Sequence, residues 1–141
     1  MSEAWGSFAV KLDDKGRIFL PAKARNLMAA GTHLTKGQDG CLFLFSPDQF
    51  THYLDNRREQ VPPNLPPLAL DRVLFHSVVT QDPDKQGRIS VPAQLRKYAG
   101  LDREGMVIGL EDRMELWDVG RWEAYLETYE KVFAAMDQGS P

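Results

Sequence analysis

A thirteen-residue segment occurs twice in this chain, and this internal repeat constrains the fold more than any other feature of the sequence. Residues 13–25 are DDKGRIFLPAKAR and residues 84–96 are DKQGRISVPAQLR, with seven identities at a constant offset of 71 residues. A second similarity follows at an offset of 72, where residues 42–45 (LFLF) match residues 114–117 (MELW). Two copies are too few for a solenoid. We therefore expect two small units that pair about a pseudo-twofold axis.

Each copy has the pattern of a strand, a turn, a second strand and a helix. Before the first turn, Phe8 and Val10 alternate with Ala9 and Lys11, which is typical of a half-buried strand. Residues 13–16 are turn formers, and a glycine there permits a positive φ. The returning strand covers residues 17–20. A proline follows at the first helical position, and a glycine is placed to end the helix. This pattern predicts a helix that begins at Pro21 and extends to Ala30, with Gly31 as its stop, and a second that begins at Pro92 and is ended by Gly100.

A further strand and helix follow in each copy. Residues 41–45 are predicted as a strand, and Ser46-Pro47 opens a helix that extends to about Arg58. In the second copy, residues 114–117 form the strand and Asp118 caps a helix that begins at Val119. The last helix places aromatic and aliphatic side chains on one stripe, which we expect to pack into the core; these are Trp122, Leu126, Tyr129 and Phe133.

Four prolines between the two copies indicate a linker. They lie within residues 60–67, a composition typical of a stiff, extended segment. A short helix is predicted over residues 68–76. We therefore divide the chain into a first repeat, residues 1–59, a linker with a short helix, residues 60–76, and a second repeat, residues 77–141.

Charge is unevenly distributed along the chain. The formal net charge is −3 and the pI is about 5.6, which by themselves disfavour a nucleic-acid partner. However, residues 11–25 carry a local charge of +3 and residues 82–97 carry +2, whereas residues 102–141 carry −6. Such asymmetry is typical of a bipolar molecule, although small local excesses also arise by chance. Charge alone therefore leaves nucleic-acid binding open.

The repeated motif has a DNA-binding and a structural interpretation. An aspartate can bond the amides of its own turn, and the arginine after the glycine then projects from a rigid strand. Arginine matches guanine O6 and N7 or phosphate oxygens. Alternatively, the arginine pairs with the aspartate and only stabilises the hairpin. The later arginines, Arg25 and Arg96, lie about one helical turn into their helices and fit either role.

These residues resemble the MraZ family. The resemblance is carried by Asp-x-Lys-Gly-Arg-(x)3-Pro-Ala-x-x-Arg near the start and by Asp-Lys-Gln-Gly-Arg-Ile-x-x-Pro-x-x-Leu-Arg-x-Tyr-Ala-Gly-Leu in the second copy, and it covers roughly residues 7–133. It implies an α+β fold with two tandem swapped-hairpin (SpoVT–AbrB-like) β-barrel halves related by pseudo-twofold symmetry, with flanking helices.

The resemblance also implies a function. It predicts a transcriptional regulator of the cell division and cell wall gene cluster, whose hairpins bind repeated sites in promoter double-stranded DNA. It further predicts a homo-oligomer, a ring with the hairpins on one face, in which many weak contacts add together. The predicted DNA-binding residues are Asp13, Lys15, Gly16, Arg17, Arg25, Asp84, Lys85, Gly87, Arg88 and Arg96.

Catalysis has little support in the sequence. The three histidines are scattered and no phosphate loop or nucleophile elbow is present, so we predict no enzyme, no metal, no cofactor and no small-molecule substrate. The lone Cys41 lies in an apolar segment and is predicted to be a buried thiol. One cysteine and the lack of a long apolar run predict a cytoplasmic protein without a membrane partner. The resemblance implies that the protein is also nucleoid-associated. The alternative is a protein-binding module, an antitoxin-like or scaffold protein whose arginines meet acidic protein surfaces.

Overall fold

The computed structural model of the chain describes residues 5–138, so the ends of both predicted repeats, residues 1–4 and 139–141, lie outside the described residues. The described part is of the α+β class. Its strands are β1 (Gly6–Lys11), β2 (Arg17–Phe19), β3 (Thr32–Lys36), β4 (Leu42–Phe45), β5 (Val79–Gln81), β6 (Arg88–Ser90), β7 (Glu104–Gly109) and β8 (Met114–Asp118). Its helices are α1 (Ala22–Leu27), α2 (Pro47–Glu59), α3 (Ala69–Phe75), α4 (Ala93–Ala99) and α5 (Val119–Gln138).

The strands of the two sequence copies are interleaved in one antiparallel sheet. Its order is β1-β7-β8-β4-β3-β5, so that each copy hydrogen-bonds to the other at three places. Exchanging the copies replaces β1 by β5, β7 by β3 and β8 by β4, and the order then reverses onto itself. This is the arrangement expected of a pseudo-twofold axis between β4 and β8.

The two motif strands form a separate sheet. β2 pairs with β6 in antiparallel register, with Ile18 opposite Ile89 at the centre, and we call this pair of strands the ribbon. Two further backbone bonds extend it, from Leu20 N to Gly87 O (3.2 Å) and from Val91 N to Gly16 O (2.9 Å). The ribbon therefore joins the two copies directly, across the same pseudo-twofold axis.

The core lies on both faces of the large sheet. On one face, Ile18 and Ile89 of the ribbon pack with aliphatic side chains of the sheet and of α1 and α4. On the other face, α2 and α5 cover an aromatic cluster that includes Phe45 and Trp117. Since β4 is buried on both sides, its sequence is a continuous apolar run instead of an alternating one.

The predicted start of the second helix is confirmed in atomic detail. The Ser46 hydroxyl accepts a bond from Gln49 N (3.2 Å), and the Gln49 side chain accepts one from Ser46 N (3.1 Å). This reciprocal capping box satisfies two amides that a helix otherwise leaves without partners. The sequence pattern Ser-Pro-x-Gln therefore fixes where α2 begins.

Three local predictions were wrong. Helix α1 ends at Leu27, three residues earlier than predicted, because the chain turns over the buried Met28 to enter β3. The proline-rich segment is not extended throughout, because Leu65 N donates to Pro62 O (3.2 Å) and closes a turn. Pro63 occupies the second position of this turn, which suits proline.

The third wrong prediction concerns the apolar stripe on α5. Of its four residues, only the first, Trp122, packs against the core. Its ring centroid lies 5.4 Å from that of Trp117. Leu126, Tyr129 and Phe133 are 38%, 51% and 71% exposed, because a helix of 20 residues extends past the strands on which it begins. The expectation that this stripe is core packing therefore fails for three of its four residues.

Candidate nucleic-acid interface

The first motif forms a rigid turn around one carboxylate. Asp13 Oδ1 accepts hydrogen bonds from the backbone amides of Lys15 and Arg17, both at 2.9 Å. The Asp13 carbonyl also accepts a bond from Gly16 N (2.9 Å), and Gly16 has a φ of 76°. A left-handed backbone of this kind favours glycine. The turn is therefore held by the aspartate and permitted by the glycine, as the sequence predicted.

The second motif has the same geometry. Asp84 Oδ1 accepts from Gln86 N (2.9 Å) and Arg88 N (2.8 Å), and Gly87 has a φ of 80°. The lysines are not equivalent, because Lys15 occupies the position of Gln86, whereas Lys85 lies one residue earlier in its turn. Both lysines are exposed. The two turns are thus copies of one structure with differently placed positive charges.

Both turn aspartates are stabilised in their charged form. The backbone hydrogen bond from Arg17 is the largest cause that lowers the pKa of Asp13 below its ordinary value, and the Arg17 side chain adds to it. Arg88 lowers the pKa of Asp84 in the same way. A carboxylate that accepts several N–H bonds holds its proton less tightly. Both turns therefore carry an ionised acceptor at neutral pH.

Each aspartate also orients the arginine of its own motif. Arg17 Nε donates to Asp13 Oδ2 and Arg88 Nε donates to Asp84 Oδ2, each at 2.8 Å. The ion pair of the structural interpretation is therefore present. It is not a buried pair, since the arginine side chains are 29% and 21% exposed. Because the bond uses Nε, the Nη groups remain at the far end of each guanidinium, and within residues 5–138 they have no hydrogen-bond acceptor.

The two arginines lie on the same side of the ribbon. Cross-strand partners share a face and successive residues alternate. Arg17 is opposite Ser90, and Arg88 is opposite Phe19. The intervening Ile18 and Ile89 point into the core and are 0% and 1% exposed. The outer face of the ribbon therefore presents both guanidiniums next to each other, and Arg88 Nη1 is 4.0 Å from the carboxylate of Asp13.

The other two predicted arginines brace the turns, each in the opposite repeat. Arg96 Nη1 donates to Val91 O (2.8 Å) and Lys15 O (3.4 Å), and a Cβ at Gly16 would overlap its guanidinium. A Cβ at Gly87 would likewise overlap the side chain of Arg25. Each glycine is therefore required twice, for its φ and for the arginine that crosses over it. No local pattern signals this exchange, because the turn that each arginine braces is in the other copy.

Sequence reasoning also missed Phe19. It lies on the outer face of the ribbon, 56% exposed, and its ring centroid is 5.8 Å from Cζ of Arg88. The alternation of β2 could have identified it, since Phe19 is two residues from Arg17 and must share its face. Its counterpart in the second copy is Ser90.

The described residues show neither a metal-binding cluster nor a membrane-spanning helix. Within residues 5–138 no group of three or more His, Cys, Asp or Glu side chains is arranged to hold a metal ion. In the same span, no helix combines the length and apolar character needed to cross a membrane. Cys41 is buried, and burial raises the pKa of its thiol to about 12, which is unsuited to a nucleophile at neutral pH.

The geometry defines a class of protein with two tandem hairpin motifs on one shared ribbon. A family described as "MraZ protein, putative antitoxin-like" matches this chain over residues 4–62 and 74–139. The chain is 45% identical to the "Transcriptional regulator MraZ" of Salinispora tropica, over 95% of this chain and 94% of that protein. It is 47% identical to the protein of the same name from Frankia casuarinae (94% and 93% covered) and 45% identical to that from Saccharopolyspora erythraea (92% and 90%). The chain belongs to the MraZ family.

Proposed function

We propose that this protein is a sequence-specific, double-stranded DNA-binding transcriptional regulator that uses the outer face of its ribbon. The observation that carries the proposal is the pair of oriented arginines, Arg17 and Arg88, with their Nη groups on one face. A two-stranded β-ribbon fits the major groove of B-DNA. There the free edge of each guanidinium matches the two acceptors of guanine or the oxygens of a phosphate.

The aspartates serve this proposal by fixing the arginines in place. A long side chain loses rotamer entropy on binding, and an arginine that is already held loses less. The turn lysines, Lys15 and Lys85, would contact phosphates, because they are exposed beside the ribbon. Gly16 and Gly87 let the backbone take the turn, and Arg25 and Arg96 are assigned here mainly to bracing it.

The finer features of the function are proposed from the membership of the chain in the MraZ family. The target would be repeated promoter sites of the cell division and cell wall gene cluster, and the protein would be cytoplasmic and nucleoid-associated. We propose the division into repeats 1–59 and 77–141 with a linker, each half a swapped-hairpin unit. No catalysis, cofactor, metal, membrane or small-molecule substrate is part of the proposal.

DNA binding is tested by footprinting the region upstream of the protein's own gene, followed by gel-shift titration of the protected duplex. We expect affinity to fall steeply with salt, because displaced counterions accompany every phosphate contact. Two such contacts alone lower affinity about tenfold between about 50 and about 200 mM salt. An unrelated duplex of equal length is the control and should bind more weakly. An absent or salt-insensitive shift would favour the antitoxin-like or scaffold alternative.

Assembly into a homo-oligomer, a ring, would compensate for the few positive charges of one copy. We assign contacts between copies to the exposed apolar face of α5, since contiguous exposed apolar patches mark interaction sites. This face comprises three residues of the predicted stripe, Leu126, Tyr129 and Phe133, together with Val132 and Met136. Many copies that present ribbons to one duplex would raise the effective concentration of each contact.

The double substitution Tyr129→Glu and Phe133→Glu tests this surface. Light scattering at micromolar concentration should show an assembly larger than a dimer for the unsubstituted protein and a smaller species for the variant. The far-ultraviolet circular dichroism spectrum should be unchanged, because both side chains are more than half exposed in the single chain and their substitution leaves its fold intact. Glu127→Ala, on the acidic side of α5, is the control and should leave the mass unchanged. A stable monomer before any substitution would refute the oligomer.

A further inference from the structure

Phe19 breaks the symmetry of the candidate interface. The pseudo-twofold axis passes through the Ile18–Ile89 pair, so Arg17 and Arg88 occupy equivalent places. Phe19 and Ser90 also occupy equivalent places, but one is a large apolar ring and the other a small hydroxyl. The outer face of the ribbon therefore presents two similar arginines and two dissimilar neighbours.

The exposure of Phe19 is a consequence of its position on the strand. Its neighbours Ile18 and Leu20 are 0% and 3% exposed, so the alternation of β2 directs the phenyl ring outward beside the arginines. Cζ of Arg88 lies 5.8 Å from the centroid of the Phe19 ring. Because Arg88 is itself bonded to Asp84, its guanidinium limits the movement of the ring toward Arg88. An apolar group is thus held in the middle of a polar, charged face.

We propose that Phe19 contacts the 5-methyl group of a thymine in the major groove, and that it does so in one half of the bound site only. The inference rests on the proposed DNA-binding function. Among the groups that base pairs present in the major groove, the thymine methyl is the apolar one, and phenylalanine is among the side chains that contact it. Ser90 offers a hydroxyl, which does not select for a methyl group.

The consequence is a directional site. The two arginines contact equivalent positions on either side of the axis, while Phe19 favours thymine on one side. A ribbon with this asymmetry binds a duplex in one orientation better than in the reverse. Repeated sites that all point the same way would then be occupied by copies that all face the same way.

The test uses the footprinted duplex, with each thymine in the protected region replaced in turn by deoxyuridine, which removes only the methyl group. The unsubstituted protein should lose about fourfold in affinity at one thymine of a half-site, as expected for one methyl group that leaves an apolar contact. Phe19→Ser, which makes the ribbon symmetric, should bind the thymine and deoxyuridine duplexes equally. Phe19→Leu should retain part of the difference.

Ser90→Phe is the complementary variant. It places a second ring at the equivalent position, and it should create sensitivity to deoxyuridine in the other half-site. Equal losses for the unsubstituted protein and Phe19→Ser at every thymine would overturn the inference while leaving DNA binding intact. If the unsubstituted protein shifts no duplex, the proposed function itself fails. Thermal unfolding of Phe19→Ser should match the unsubstituted protein, because the ring is largely exposed.

Discussion

Alanine in place of both Arg17 and Arg88 should abolish sequence-specific DNA binding without unfolding the chain. Each bidentate arginine–guanine contact contributes about 1–3 kcal/mol of discrimination, so each single variant should lose about fivefold to about 150-fold in affinity. The fold should persist because the guanidiniums are partly exposed and Oδ1 of each aspartate still accepts its backbone amides. Gel-shift titration and thermal unfolding on the same preparations measure both properties.

Two sets of variants separate geometry from charge. Arg17→Lys and Arg88→Lys keep the charge but lose the planar fork, so they should retain non-specific binding and lose preference for the promoter duplex. Arg58→Ala removes one positive charge from α2, and it should change affinity little. Loss of stability comparable to a core substitution, with affinity retained per folded molecule, would show that the arginines only stabilise the hairpins.

Alanine at Ile18 should destabilise the protein by about 2–5 kcal/mol, the usual cost of removing a large aliphatic side chain from a packed core. Ile18 is fully buried and lies opposite Ile89 at the point where the two repeats meet. Ile89→Ala should cost a similar amount, since the two sites are related by the pseudo-twofold axis. Urea unfolding measures these differences from the shift in midpoint.

Phe19→Ala provides the matched control for stability. It removes a larger side chain from the same strand, but from the outer face, and it should cost far less than Ile18→Ala. A single cooperative transition is expected for all three variants, because the ribbon and the large sheet both join the repeats. If Ile18→Ala proves as mild as Phe19→Ala, the ribbon is not packed on the core in solution as described.

Local features of the fold could be predicted because their causes are local. The Asp13 turn, the helix start at Ser46 and the end of α4 at Gly100 depend on residues within a few positions of one another. The pairing of strands is different, since β1 hydrogen-bonds to β7 almost a hundred residues later. A period of two tells which face of a strand is buried but not which strand lies beside it.

The candidate site was predictable to the same extent. The repeated motif identified Asp13, Arg17 and their counterparts, and the structure places both arginines on one face. From the sequence, an ion pair between each arginine and its aspartate is an alternative to DNA binding, whereas the geometry allows both, since the pair uses Nε and leaves the Nη groups at the far end. The bracing of Gly16 by Arg96 depends on contact between the copies, and no local pattern encodes it.

The ribbon restricts the spacing between its two arginines. Arg17 and Arg88 lie at a fixed register on strands that are packed on the core, and each guanidinium is bonded to the aspartate of its own turn, which restricts the spacing between them. Under the proposed function, insertion of a single base pair between the positions that Arg17 and Arg88 contact should rotate and displace one of those positions along the duplex. Such a duplex should be contacted by only one of the two arginines, however well each half of its sequence matches the site.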